Sequence, residues 1–185
     1  MLPGQTMLTY DAIAGPHPRG ENDRRILLEA VRLYECALVR GAWHRLWAAL
    51  TRHRSDLLDL GDVERECAVK DRHYAGLRTV RLGQIRGSEG RCHDFDAAFH
   101  PSQQHCRNRW VAIAAAYEQG LSLPPVNLVQ VGDVYYVLDG HHRVSVARAL
   151  RQEYIEAEVV VWQVFEPRVM PGTCRQERSR CPGSP

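Results

Sequence analysis

The residues most suited to chemistry lie in one segment, VYYVLDGHHRVSVARAL, at positions 134–150. Its pattern predicts a buried strand, a turn at Asp139-Gly140 and a helix that begins with His141-His142-Arg143. The first turn of a helix presents unpaired backbone N–H groups at the positive end of the helix dipole. Gly140 lets a ligand approach the backbone closely, and the His and Arg side chains add donors at the same point. These residues predict an anion site, most naturally for phosphate.

Asp139 has three candidate roles in this segment. Its carboxylate can cap the helix, orient a histidine or help to hold a metal ion. In the last case Asp139, His141 and His142 would bind a divalent cation and polarise a phosphodiester, as in a metal-dependent nuclease. The simpler alternative is an ordinary strand-turn-helix corner with solvated polar side chains.

Six cysteines are present, and none of them forms a C-x-x-C pair. They are expected to be free thiols, because the sequence does not start with a secretory signal. Cys92-His93 and His105-Cys106 together offer four side chains of the zinc-binding types. Structural zinc sites, however, present C-x2-4-C or H-x3-5-H spacing, which adjacent Cys-His pairs lack. No metal site is therefore predicted from these residues.

Short strands and helices must position the segment. Gly132-Asp133 is a two-residue hairpin signal between two apolar runs, and the apolar run near the end of the sequence is typical of a central strand. Elsewhere, helical spacing of apolar residues predicts helices. The predicted strands cover 78–82, 126–131, 134–138 and 155–162, and the predicted helices in this half cover 94–120 and 141–151.

The N-terminal part of the chain differs in pattern. Residues 1–22 predict a disordered arm and residues 166–185 a disordered tail, because both are rich in Pro, Gly and polar side chains. Residues 23–70 predict a helical extension with a helix over 23–41 and an interruption at Gly41. A second helix follows, and Ser55 is expected to cap a short third one.

Trp43 and Trp47 stand four residues apart beside Arg40 and Arg45, in a stretch without acidic residues. We expect the two tryptophans to be core anchors, because amphipathic helices of globular proteins bury such stripes routinely. The alternative is an exposed basic and aromatic helix that binds an acidic membrane or nucleic-acid surface, or that docks a protein partner.

Composition limits the classes of function. The 185 residues include 24 basic and 22 acidic side chains, a net charge of +2, which argues against broad electrostatic binding of nucleic acid. No apolar run approaches the roughly 20 residues that span a bilayer. The first residues lack the basic and apolar pattern of a secretory signal, so a cytoplasmic protein without a membrane span is expected.

The order of strand, Gly-x-[His/Arg]-Arg, helix and strand resembles the ParB/sulfiredoxin superfamily over residues 77–165. ParB-like domains carry Gly-Glu-Arg-Arg and sulfiredoxins Gly-Cys-His-Arg where this sequence has Gly140-His141-His142-Arg143. The sequence is also similar to the Asp-Gly-Gln-His-Arg signature of DGQHR-domain proteins, which are associated with DNA modification. The resemblance implies an α+β fold: a small mixed sheet with packed helices, here preceded by the helical extension.

The resemblance also implies function. Gly140, His141, His142 and Arg143 would bind the phosphates of a nucleoside triphosphate, CTP or ATP, with Mg²⁺. Residues 84–91 resemble the ParB segment that ends in a functional arginine, here Arg91. The implied role is DNA-related regulation with weak nucleotide hydrolysis at most.

Two departures from the family patterns limit the activity that the resemblance implies. Histidine at 141 replaces the reactive cysteine of sulfiredoxins, so sulfinate repair is not expected. ParB-like domains have a glutamate at this position, and His141 replaces it here, so efficient nucleotide hydrolysis is not expected either. No helix-turn-helix region follows the last predicted strand, and a complete centromere-binding protein is therefore not expected.

Overall fold

The computed structural model describes residues 20–51, 57–90 and 94–165 of the chain. The predicted tail, most of the predicted arm, Ser55, Arg91 and Cys92-His93 lie outside these ranges. The helices are α1 (Glu21–Thr51), α2 (Leu60–Glu66), α3 (Arg107–Glu118) and α4 (His141–Ala149). The strands are β1 (Leu58–Asp59), β2 (Ala68–Arg81), β3 (Ile85–Ser88), β4 (Val126–Val131), β5 (Val134–Asp139) and β6 (Tyr154–Phe165). Two 3-10 turns cover Leu82–Gln84 and Gln104–Cys106.

One mixed sheet has the strand order β1-β3-β5-β4-β6-β2. The pairs β1–β3, β3–β5 and β4–β6 are parallel, whereas β4–β5 and β2–β6 are antiparallel. Because β1, β3 and β5 run in the same direction, Asp59, Ser88 and Asp139 end their strands at one edge of the sheet. That edge is where α4 begins.

Helices cover both faces of the sheet. On one face, Val144 and Ala147 of α4 pack against strand residues such as Val126 and Val137. On the other face, α2 contributes Leu60 and Val63 to a cluster with Val129, Tyr136 and Trp162 of the sheet. A third cluster joins α1, α3 and α4 outside the sheet. The fold is therefore α+β, with a small mixed sheet, packed helices and an N-terminal helix, as the sequence predicts.

The region around the segment 134–150 agrees closely with the prediction. β4 and β5 form an antiparallel hairpin around Gly132-Asp133, and α4 begins at His141. β2 is much longer than the predicted strand over 78–82, and it pairs with β6 along its whole length. Most of its side chains are exposed, so it has no alternation of apolar and polar residues that could reveal its length.

The predicted interruption at Gly41 is wrong, because α1 continues unbroken from Glu21 to Thr51. Gly41 is buried in the middle of this helix, and a Cβ atom there would come 2.8 Å from the Cβ of His100. A mid-helix glycine costs about 1 kcal/mol relative to alanine. Here the absent side chain allows a close contact between α1 and the loop that carries His100.

The prediction that Trp43 and Trp47 are core anchors is also wrong. Both side chains are 67% exposed, and Leu46 and Leu50 beside them are exposed as well. The buried face of α1 consists mostly of small residues, namely Ala30, Ala37, Gly41 and Ala48, together with Tyr34. Small side chains let α1 lie close to α3, where Tyr34 meets Trp110 edge-on with ring centroids 5.4 Å apart.

The helix predicted over 94–120 begins only at Arg107. In the preceding loop, which we call the 94–103 loop, Asp96 Oδ1 accepts hydrogen bonds from the backbone N–H groups of Ala98 and His100. This side-chain-to-backbone pattern competes with helical hydrogen bonding. Pro101 follows, and a proline disfavours helical geometry at the residue before it. Phe95 and Phe99 are nevertheless buried, and their spacing of four residues is the pattern that predicts a helix.

Residues 57–70 differ from the predicted helical extension. β1 pairs with β3, α2 packs on the sheet, and β2 already starts at Ala68. Of the described part of the predicted extension, only α1 therefore packs outside the sheet. Within the described ranges, each helix is too short or too polar to cross a membrane.

Candidate anion site at the start of helix α4

Gly140 forms the turn between β5 and α4. Its φ of 94° lies in the left-handed region, and a Cβ atom at this position would approach Val126 Cγ1 to 2.6 Å. Both constraints select glycine. No side chain caps the helix at Gly140. The first-turn N–H groups that follow are the ones that lack intrahelical acceptors.

His141 is buried at the edge of the sheet. Its Nε2 atom lies 2.7 Å from the hydroxyl of Ser88, the last residue of β3. The imidazole also stacks on Phe95 of the 94–103 loop, with an interplanar angle of 16°. Ser88 is fully buried, so this Ser-His pair joins β3 to α4 and does not present an accessible nucleophile.

His142 is also buried, and it contacts the same aromatic ring. It meets Phe95 edge-on, with ring centroids 5.4 Å apart. The two imidazoles together therefore hold the 94–103 loop against the start of α4. Their polar atoms face the protein interior more than the solvent, since His141 and His142 are 4% and 8% exposed.

Arg143 donates to two carbonyl groups and one carboxylate. Nη1 lies 2.5 Å from Pro124 O and 2.8 Å from Pro125 O, and Nη2 lies 2.6 Å from Asp139 Oδ2. Burial lowers the pKa of this guanidinium, although Asp139 opposes the shift. Nε lies 3.1 Å from the position that a Cβ of residue 140 would take, so Nε faces the turn. Arg143 thus fixes the Pro124-Pro125 loop and keeps one edge toward Gly140.

Asp139 pairs with Arg143, and its side chain is 61% exposed. Among the three predicted roles, this contact corresponds to none directly: the carboxylate orients an arginine. The groups of described side chains that are close enough to share a metal ion do not include Asp139, His141 or His142. The nuclease role of these three residues stays a prediction.

The structure thus brings together four of the predicted anion-site residues, Gly140 to Arg143. Arg91 and the pair Cys92-His93 lie outside the described residues, so the role of Arg91 stays a prediction. Ser88 and Phe95 were not predicted to contact the histidines. The position of Ser88 follows from the parallel pairing of β3 with β5, which no local pattern in the sequence reveals.

Among the described cysteines, Cys36 is exposed and Cys67 is buried, and both carry free thiols.

Comparison with known proteins gives one structural similarity. No family model matches the sequence, and no curated protein matches it. A solved structure that is similar is the crystal structure of sulfiredoxin from Arabidopsis thaliana, at 19% sequence identity and a TM-score of 0.31. The match covers 45% of this chain and 82% of that chain. A likeness of this size assigns neither a family nor an activity to the chain.

Proposed function

We propose that this chain is a ParB-like phosphate-binding domain whose ligand is a nucleoside triphosphate, held at the start of α4. The observation that carries the proposal is the uncapped helix start at Gly140, at the edge where the parallel strands β3 and β5 end. The N–H groups and dipole of such a helix start favour phosphate, and glycine lets the phosphate reach the backbone.

Backbone and side-chain groups would have different roles around the ligand. The backbone N–H groups of His141 and His142 would donate to phosphate oxygens, while their buried rings hold the turn in shape. Three N–H donors of Arg143 bind protein acceptors, and its Nε edge remains directed to the turn. The exposed carboxylate of Asp139 offers an oxygen ligand to the Mg²⁺ that accompanies a triphosphate. Arg91 would assist, as the resemblance implies.

The proposal favours binding over turnover. Both imidazoles are buried, and a general base must reach the attacking water. Binding would then serve as a signal that is coupled to DNA or to a protein partner. Weak hydrolysis would have to use groups other than these two rings.

Two arginines of α4 make a matched test. Arg143 and Arg148 are both largely buried, and each donates to two backbone carbonyls, but only Arg143 lies at the helix start. We expect Arg143→Gln to weaken binding of CTP or ATP with Mg²⁺ about tenfold or more, the effect of losing a charge-assisted hydrogen bond. Isothermal titration calorimetry measures the affinity.

Arg148→Gln controls for lost stability, and its affinity is expected to stay within about twofold of wild type, because its carbonyl partners lie at the other end of the helix. Thermal melts of both variants show whether they remain folded. Equal losses of affinity in both variants, or no affinity in the wild type, would refute the proposed site.

The exposed face of α1 favours a second function, docking of a protein partner. Trp43, Leu46, Trp47 and Leu50 are between 62% and 78% exposed, and tryptophans and arginines are the side chains that dominate protein interfaces. Arg40 borders this face, so the partner that fits is an amphipathic helix with acidic residues beside its apolar stripe.

Acidic amphipathic peptides, with scrambled peptides of equal composition as controls, test the docking function. The indole N–H signals of Trp43 and Trp47 in NMR spectra should shift with the patterned peptides only. Shifts caused instead by phosphatidylserine vesicles or by single-stranded DNA would assign this face to a membrane or a nucleic acid, and would overturn the docking function.

A further inference from the structure

Three side chains of metal-ligating types converge where α1 meets the 94–103 loop. They are His44 of α1, and Asp96 and His100 of the loop. His100 Nδ1 lies 3.0 Å and His44 Nδ1 lies 3.3 Å from the same oxygen, Asp96 Oδ2. All three ligand atoms lie within 4.8 Å of one another. This cluster is separate from the start of α4 and has no part in the proposed phosphate site.

The loop holds the Asp96 carboxylate in a fixed orientation. Oδ1 accepts the backbone N–H groups of Ala98 at 2.9 Å and of His100 at 2.8 Å, which leaves Oδ2 for the two imidazoles. Burial alone would raise the pKa of Asp96, but the hydrogen bonds from His100 and the nearby His44 together lower it. The two hydrogen bonds to Oδ1 thus pre-position Oδ2 as an oxygen ligand, although Asp96 is only 4% exposed.

Gly41 allows α1 to approach the loop closely enough for His44 to reach Asp96. It lies three residues before His44, so the two residues share one face of α1. Because Gly41 has no Cβ, the helix backbone packs directly against His100. A larger residue at 41 would push α1, and His44 with it, away from Asp96. The mid-helix glycine and the cluster thus have a common geometric explanation.

The ligand spacing fits a tetrahedral cation. Ligand atoms about 2.0–2.1 Å from Zn²⁺ at tetrahedral angles are about 3.3 Å apart, close to the two distances to Asp96 Oδ2. His44 Nδ1 is buried and makes no hydrogen bond within the described residues, even though Asp96 Oδ2 is 3.3 Å away. Its ring also lines a cavity of about 370 Å³ with Trp47 and Arg148, which gives an ion a path from solvent.

We propose that His44, Asp96 and His100 form a binding site for a divalent transition-metal cation, with Zn²⁺ as the best fit to two imidazole nitrogens and one carboxylate oxygen. Bound metal would fasten the middle of α1 to the 94–103 loop. It would leave a fourth coordination position for water or another ligand.

The experiment is a titration of untagged full-length protein, first stripped with a chelator, with Zn²⁺ in a calorimeter. The wild type is expected to bind one Zn²⁺ at this cluster, and His44→Gln to bind it about 100-fold more weakly, since even outer partners of metal sites contribute 10–100-fold. His44 is partly exposed, so this variant should fold, and a thermal melt in chelator checks that it does. NMR of the imidazole nitrogens gives a second readout, in which His44 and His100 shift on metal binding.

His105→Gln is the matched control. His105 lies in the same region and approaches Asp94 and Cys106, the other described group that could share an ion. The control should bind Zn²⁺ as the wild type does. A wild type that binds no Zn²⁺, or a loss of binding in His105→Gln with none in His44→Gln, would overturn the proposal and leave a metal-free His-Asp-His cluster.

Discussion

The start of α4 and the junction between α1 and the 94–103 loop are built in opposite ways. At the start of α4, residues adjacent in sequence form a turn whose backbone offers donors, while the side chains of His141 and His142 are buried against Phe95. At the junction, His44 and Asp96 are 52 positions apart, and their side chains converge while the backbone only supports them. Histidine side chains therefore pack against an aromatic ring in one region, whereas in the other they converge on a carboxylate oxygen.

Gly140→Ala is expected to have the largest effect on stability. The substitution places a side chain at a left-handed φ and within 2.6 Å of Val126, so strain and overpacking together should cost about 4 kcal/mol. Chemical denaturation measures the free energy of unfolding. Gly132→Ala is the control, because its φ is also positive but nothing lies within 4 Å, and it should cost about 1 kcal/mol. Equal costs would mean that the close contact at Gly140 is unimportant.

Substitution of Asp96 should have the next largest effect, at the junction. Asp96→Ala leaves two backbone N–H groups without their acceptor, which should cost about 3 kcal/mol, whereas Asp96→Asn keeps an acceptor oxygen and should cost less. Urea unfolding in the presence of a chelator measures both without metal. A small loss in Asp96→Ala would show that the loop does not depend on this carboxylate.

Acid should reduce the difference between wild type and Asp96→Asn. The pKa of Asp96 is lowered by folding from its ordinary value of 3.8, so its ionised form stabilises the fold above that pH. The stabilisation is lost as the pH falls through the lower pKa of the folded state. Unfolding measured at a series of pH values below 5 should show the two proteins converging, and a constant difference would contradict the assignment.

The smallest effect is expected for the double variant Trp43→Ala and Trp47→Ala. Both side chains are largely exposed, so the free energy of unfolding should change by less than about 1 kcal/mol. Trp110→Ala in the core is the contrasting variant and should cost about 4 kcal/mol, because its ring is fully buried. A large loss in the double variant would mean that the exposed face of α1 is packed in solution.

The features that the sequence predicts correctly depend on contacts between neighbouring residues, and the features that it predicts wrongly depend on contacts between distant residues. The hairpin, Gly140 and the start of α4 depend on neighbouring residues, so turn signals and apolar spacing predict them. The burial of α1 depends on which of two faces meets α3. The tryptophan stripe has the stronger apolar pattern, but the small residues allow the closer approach, and that preference is not visible in α1 alone.

The 94–103 loop shows a second limit of prediction. Its apolar spacing is that of a helix, and the decisive features are the Asp96 hydrogen bonds and Pro101, which act on the backbone. The His-Asp-His cluster has no signal at all at the level of spacing. It forms only because Gly41 lets α1 approach His100, a contact between positions 59 residues apart.

The central claim, phosphate binding at the start of α4, is tested most directly by an NMR titration of ¹⁵N-labelled protein. CTP, ATP and inorganic phosphate would each be added with Mg²⁺, and the backbone amide signals followed residue by residue. The account predicts that the amides of His141, His142 and Arg143 shift most, and in a saturable way. Absence of shifts at these three amides, with or without shifts elsewhere, would contradict it.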